Sequence, residues 1–445
     1  MATYTGTADA SGNWSIPVTT PLALGERSVR ARQALNGVDF GALSSSFAMQ
    51  VAVASPLTGT VSALHLDAAG GMWFRDGAWA DQADTIDFAR GSAATYFDAA
   101  GDLQSAADNV LRVDYGAGGG TAVGALLEGA RTNRLINTST FSSGWSGNGS
   151  TRTVIDDGAF DGNADALRVD ILSNTGLNTF QQIGSFTIGQ VVRASAWVKG
   201  AVGEQIYFLS DDKDGAQVLV TFTGEWQFIS TPAYALTVTD VYFGFEIYNR
   251  AGGAALPTGI TFDICYPQYE VAAFPSSYIE SGGTAATRAA DVLSIGPVGG
   301  LPFEGYDAAE ISGVVAFRTA PGQSGNQVLW QIDDGSEDDR LRIVRDASGD
   351  LRFIVTVGGV EQCNLDLGAV ADSTDGRIAF RAAAGSFAAS LDGGAAVTDG
   401  AGTMPTVTTT RIGNSYAGEE WFGHVASATL YAAALADAEL VEMAS

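Results

Sequence analysis

Glycine punctuates this chain almost everywhere. Among 445 residues, 56 glycines and 11 prolines separate short runs of β-type composition, and sustained helical periodicity is nearly absent. A chain interrupted this often cannot lay down the long apolar stripe by which a helix packs, so the expected fold class is all-β. Strand alternation is readable directly. In the run VYFGFEIYN, Phe243, Phe245 and Ile247 point to one side, and Tyr242, Gly244, Glu246 and Tyr248 to the other. In RASAWVKG, Arg193, Ser195, Trp197 and Lys199 share the face opposite Ala194, Ala196 and Val198. Each run therefore carries one apolar face and one that mixes rings with hydrogen-bonding groups.

The length allows about two to four domains, each with a core of its own. A hydrophobic content of 46% is too high for a disordered chain. No apolar run reaches the roughly 18 residues of a membrane span, and the start Met1-Ala2-Thr3-Tyr4 lacks the basic and apolar stretches of a signal peptide. The expectation is a soluble product of a host cytoplasm, without membrane insertion. The 23 basic and 50 acidic side chains give a net charge of −27, which leaves no basic stripe for phosphates and excludes a nucleic-acid partner. The acidic excess begins after residue 60, since residues 1–60 set Arg27, Arg30 and Arg32 against Asp9, Glu26 and Asp39. A neutral start fits an attachment segment held by a partner, with mutually repelling, exposed domains beyond it; chance balance in a short segment reads the same way. With Cys265 and Cys363 as the whole cysteine complement, a disulfide framework is excluded and two buried free thiols are expected.

Catalytic chemistry has few candidates. The two histidines, His65 and His424, lie in short β-type runs with no serine or cysteine motif beside them, and no G-x-S-x-G, H-E-x-x-H or P-loop pattern occurs. Paired carboxylates would suffice for a glycosidase, but acidic residues in this chain are expected mostly on solvated surface. Two acidic turns, DDKDG and DDGSEDD, offer oxygen ligands for a structural calcium through Asp212, Asp214, Asp333 and Asp338. Neither has the EF-hand register, because Thr221 and Leu341 fall where the bidentate glutamate belongs, and solvated hairpin turns are the plainer reading. Glycan recognition needs aromatic faces against sugar C–H patches with planar polar groups at their edges. A single mixed face bearing Arg193, Trp197, Tyr207, Tyr242, Glu246 and Tyr248 supplies those types and forms the candidate glycan-binding set.

The segment from Phe88 to Trp145 narrows the reading. It runs FARGSAATYFD, then EGARTN, then Asn137 and Trp145 opening the next domain. In that order these phrases resemble a connector of tail fibres, tail spikes and related appendages of tailed phages and prophages. Phe88, Arg90, Ser92 to Asp98, Glu128, Ala130 to Asn133, Asn137 and Trp145 fill the pattern. The resemblance implies a protein of a virion or gene-transfer-particle surface rather than a metabolic enzyme. Residues 5–33 resemble the later half of a bacterial immunoglobulin-like repeat through Asp9, Gly12, Trp14, Pro21, Leu22, Gly25 and Val29. Residues 137–280 are similar to a carbohydrate-binding-module jelly roll, with FDGNADALRV, AWVKG and GEWQFIS as cues. In similar modules Trp197 and Trp226 pack inside the sandwich, and a structural calcium is often held. Residues 281–445 resemble a concanavalin/laminin-G-like sandwich, ending in IGN, FGHV and a last helical turn where Asp437, one residue past Ala436, is expected to cap.

Together these readings predict tandem β-sandwiches after a short β N-terminal attachment region. The divisions are 1–60 for attachment and oligomerisation, 61–136 for a connector with short hairpins, 137–280 for the jelly roll and 281–445 for the C-terminal sandwich. The implied function is adhesion to a host cell-surface polysaccharide by a homotrimeric tail fibre or head spike, displayed on the virion surface and held to other virion proteins through its N-terminus. No catalytic activity and no required cofactor are expected. The alternatives are a virion decoration protein without glycan binding, and a capsule-degrading tail spike.

Overall fold

The computed structural model describes residues 64–445 other than positions 69, 76–77, 80–84, 159, 161–164, 174–175, 212–215, 251, 253, 298, 304–305 and 323–324; before residue 64 it describes six short strands between Thr7 and Val51. Those early strands pair as Thr7–Ala8 with Trp14–Ser15, Gly25–Val29 with Phe47–Val51, and Ala34–Leu35 with Val38–Asp39. The regular structure of the rest is strand apart from a short helix at Asp437–Met443. The fold is all-β, as expected.

The jelly roll packs two antiparallel sheets face to face. One orders the strands Ser150–Asp156, Asp165–Ile171, Thr261–Glu270, Val191–Gly200 and Gln227–Ser230, with Tyr234–Ala235 also on Val191–Gly200. The other orders Thr179–Ile183, Val241–Glu246, Gln205–Leu209 and Gln217–Thr221. Alternation sends Ala194, Ala196 and Val198 of the first sheet and Phe243, Phe245 and Phe208 of the second into the space between them, each fully buried. Phe208 stacks on Phe245 at 4.7 Å, and Phe245 tilts onto Phe262 at 5.2 Å. Burying such rings contributes about 1.5–3 kcal/mol apiece, so this cluster dominates the domain's stability.

The second sandwich draws on both ends of the described chain. One sheet orders Asp87–Ala89, Val292–Ile295, Thr409–Ile412, Gln327–Asp333, Arg340–Arg345, Asp350–Val357 and Val360–Ala369. The facing sheet is centred on Glu310–Arg318 and Gly423–Tyr431, and the latter strand also pairs with Leu64–Asp67 and with Gly124–Leu127. Strands that precede the jelly roll in sequence therefore complete sheets whose other members follow it. The core holds Trp330, Phe353 and Phe380, with ring centroids 4.5 and 5.1 Å apart. Cys265 and Cys363 are buried free thiols in different cores, and burial pushes the Cys363 thiol up to about 12. At the helix, Asp437 does not cap. Ala436 occupies the cap position, Glu439 reaches back to its N–H at 3.0 Å, and the Asp437 carboxylate turns to Arg381 at 2.7 Å.

The chain enters and leaves the jelly roll side by side, with Arg131–Asn133 paired to Ala286–Arg288. Here the connector phrases acquire a physical meaning. The Asn133 amide donates to the carbonyls of Pro267 and Ile279, Thr95 donates to the Tyr278 carbonyl, and the Arg131 guanidinium lies 4.1 Å over the Phe422 ring. Arg90 and Arg112 both reach Asp291, while Arg112 and Arg288 both reach Glu128, all of them buried. Burial raises and the two guanidinium groups and Ser277 lower the Glu128 carboxyl, with the lowering dominant, so it stays ionised far below the usual carboxylate range.

Candidate functional site

Where the jelly roll, the connector and the C-terminal sandwich meet, they line a cleft of about 590 Å³. That is within the size range of ligand pockets. One wall is the outer face of the jelly-roll sheet that contains Val191–Gly200. Alternation alone puts Ser195 and Trp197 there, opposite the buried Ala194, Ala196 and Val198. The Trp197 ring meets Phe160 edge-on at 4.4 Å and Phe228 at 5.6 Å, and Phe228 is 47% exposed.

Tyr266 reaches the cleft by a different device. Opposite Ser195 and Trp197 the register slips, so that Ser195 faces Gln268 while Trp197 faces Cys265, and Tyr266 sits in the resulting bulge with φ of 49°. Its ring stacks over Phe160 at 6.2 Å and tilts onto Tyr278 at 5.0 Å. Across the cleft Phe422 is also at positive φ, 57°. Such a backbone costs a non-glycine residue about 1–3 kcal/mol and persists where the surroundings enforce it, characteristically at binding sites. Both strained aromatics line the same cavity.

Several polar groups of the cleft are already in partnership. His424 and Asp114 meet at 2.9 Å, and Asp114 also accepts the Phe97 N–H at 2.7 Å. Arg318 pairs with Asp375 at 2.9 Å, and the Gln268 amide donates to Glu270 at 2.8 Å. The Ser277 hydroxyl donates to Glu128 at 2.6 Å. Rings on one side and fixed polar groups on the other suit a ligand with both C–H faces and hydroxyls.

The six glycan candidates do not form one face. Arg193 and Trp197 belong to the cleft-side sheet, but the two terminal nitrogens of Arg193 donate to the Ala273 carbonyl at 2.8 Å and the Ser230 hydroxyl at 3.0 Å. Tyr207, Tyr242, Glu246 and Tyr248 lie on the outer side of the other sheet or just past its end, across the thickness of the sandwich. Tyr207 and Glu246 are register partners. Glu246 is fully buried, held by Arg250 at 2.7 Å and Gln217 at 2.9 Å. Tyr242 packs edge-on against Phe180 at 5.5 Å, and Tyr248, 46% exposed, lies under the Arg250 guanidinium at 5.8 Å. Tyr266, Phe228, His424 and Asp114 escape sequence reading, because a bulge and a junction between distant segments place them.

Of the calcium candidates, Asp333 is fully buried and occupied by Arg411 at 2.7 Å, Gln331 at 2.8 Å and the Gly335 N–H at 2.9 Å. Asp338 is exposed at the adjoining turn, and Asp212 and Asp214 lie outside the described residues. Among the described residues no three His, Cys, Asp or Glu side chains are grouped to hold a metal ion, and no helix is long and apolar enough to cross a membrane.

No family model and no curated protein matches the sequence. Solved structures show weak similarity to carbohydrate-binding modules and sialidases. The CBM40 module of the Ruminococcus gnavus IT-sialidase bound to α2,3-sialyllactose is 16% identical, with a TM-score of 0.27 over 31% of this chain and 83% of its own. The tandem CBM22 domains of Paenibacillus barcinonensis Xyn10C are 10% identical, with 0.24 over 69% and 96%. The Trypanosoma rangeli sialidase in complex with sialic acid is 10% identical, with 0.25 over 94% and 76%. Because sialidases stand among the similar chains, the expectation that this chain is not an enzyme is withdrawn.

Proposed function

We propose that this chain is a surface appendage of a phage or phage-like particle that adheres to a host-surface glycan through the cleft between its sandwiches. The cleft's composition carries the reading: Trp197, Phe228 and Tyr266 present rings, and Asp114, His424 and Gln268 supply fixed polar atoms beside them. The connector phrases support the particle assignment. The neutral N-terminal 60 residues are the part proposed to bind other virion proteins and to trimerise.

A glycan array probed with the full chain tests the binding. A bound glycan whose affinity falls by roughly 1–3 kcal/mol in Phe228→Ala, the scale of an aromatic hot spot, supports the cleft. Loss instead in the Tyr242→Ala/Tyr248→Ala pair moves the site to the opposite sheet. No binding to any glycan leaves a decoration protein. Labelling the chain on intact particles tests its location, and light scattering of a stable monomer at micromolar concentration excludes the trimer.

A further inference from the structure

We infer that the cleft selects a neutral glycan and discriminates against uronic-acid and other carboxylated sugars. The inference rests on the glycan-binding reading and adds the ligand's chemical class.

A site built for an anionic sugar keeps a cation, or a set of unspent N–H donors, pointed at the carboxylate. In this cleft the arginine and the histidine that line it each face a protein carboxylate: Arg318 faces Asp375 at 2.9 Å, and the His424 ring faces Asp114 at 2.9 Å. Arg112 and Arg288, beneath the cleft, are consumed by Glu128 and Asp291 at 2.5–2.9 Å and have no side-chain exposure. Arg193 on the same sheet face donates into Ala273 and Ser230. An incoming carboxylate at Arg318 or His424 would meet a protein carboxylate already there.

The field of the whole molecule adds to this. A net charge of −27 repels a polyanion at long range, within the reach set by the ionic strength. The cleft leaves aromatic surface uncommitted, with the 47%-exposed Phe228 ring foremost. Aromatic surface binds the C–H faces of a hexose whatever its charge, so charge discrimination falls to the paired ions.

Matched oligosaccharides of equal length, one of neutral hexoses and one of the corresponding hexuronic acids, test the inference by calorimetry on the full chain at low and high salt. The neutral series binds, changes about twofold or less with salt, and weakens in Phe228→Ala. The uronic series binds about tenfold or more weakly at low salt, and the gap narrows as salt rises. Tighter binding of the uronic series, lost in Arg318→Gln or with added salt, overturns the neutral class while leaving glycan binding intact. Absence of binding in both series and across the glycan array overturns the underlying reading as well.

Discussion

Glu128 in the connector and Arg288 beyond the jelly roll meet at 2.7 Å with almost no access to water. The contact closes the loop through which the chain leaves one sandwich, builds another and returns. Arg112 and Asp291 complete the cluster, and Arg90 extends it. Buried ion pairs are weak sources of net stability, because desolvation cancels most of the attraction, but they enforce one geometry: a mispaired junction strands bare charges.

Removing one partner should therefore cost far more than the pair contributes. Glu128→Ala leaves Arg112 and Arg288 facing each other and is expected to destabilise the protein by about 3–5 kcal/mol in urea unfolding. A loss under about 1 kcal/mol would mean that water enters the junction and that the cluster does not fix it.

His65 gives the protein an acid-sensitive window. Its ring is 2% exposed, its Nδ1 is 2.8 Å from the Thr429 hydroxyl, and burial pushes its pKa from 6.5 down to about 4. The unfolded chain thus takes up a proton first as pH falls. Its contribution to stability is constant above about pH 6.5 and declines between 6.5 and 4, the loss reaching roughly 3 kcal/mol by the lower end. Melting temperature measured from pH 8 to pH 4 should fall across this window, and His65→Gln should flatten the decline. An unchanged slope in that variant would assign the acid sensitivity to other groups.

What the sequence made legible was local. Period-two alternation placed Phe243, Phe245 and Ile247 in the core and turned Trp197 outward, since a strand's own geometry decides that much. Sheet membership is not local, so alternation groups Trp197 and Tyr242 on one face although a whole sandwich separates them. The acidic turn beginning at Asp333 read as a source of calcium ligands because its partner, Arg411, arrives from a strand far along the chain. Connector strands such as Gly124–Leu127 showed β composition, but nothing near them in sequence marks Gly423–Tyr431 as their neighbour. The bulge at Tyr266 has one local mark, Pro267 within the strand Thr261–Glu270, because a proline inside a sheet is confined to edges and bulges; nothing local says which ring the bulge turns outward.

The two sides of the strand Val241–Glu246 and its extension should respond oppositely to truncation. Phe245 is fully buried among Phe208, Phe243 and Phe262, and Phe245→Ala is expected to cost about 3–5 kcal/mol. Tyr248 is 46% exposed, and Tyr248→Ala should stay within about 0.5 kcal/mol. Comparable losses in both would show that the outer face is covered in the assembled protein.

The bulge at Tyr266 offers a test with a reversal of sign. At an ordinary strand position glycine is less stable than alanine by roughly 0.5–1 kcal/mol, because the unfolded chain gains freedom. At φ of 49° alanine carries the same backbone penalty as tyrosine, about 1–2 kcal/mol, whereas glycine does not. Both substitutions delete the ring and its contacts with Phe160 and Tyr278, so that loss cancels in the comparison. Tyr266→Gly should consequently be more stable than Tyr266→Ala, while both weaken glycan binding relative to the parent chain. The order Ala above Gly in thermal unfolding would show that the bulge relaxes once the ring is gone. The ring's own packing would then hold the backbone at positive φ, and the bulge would not be a fixed feature of the sheet that aims the ring into the cleft.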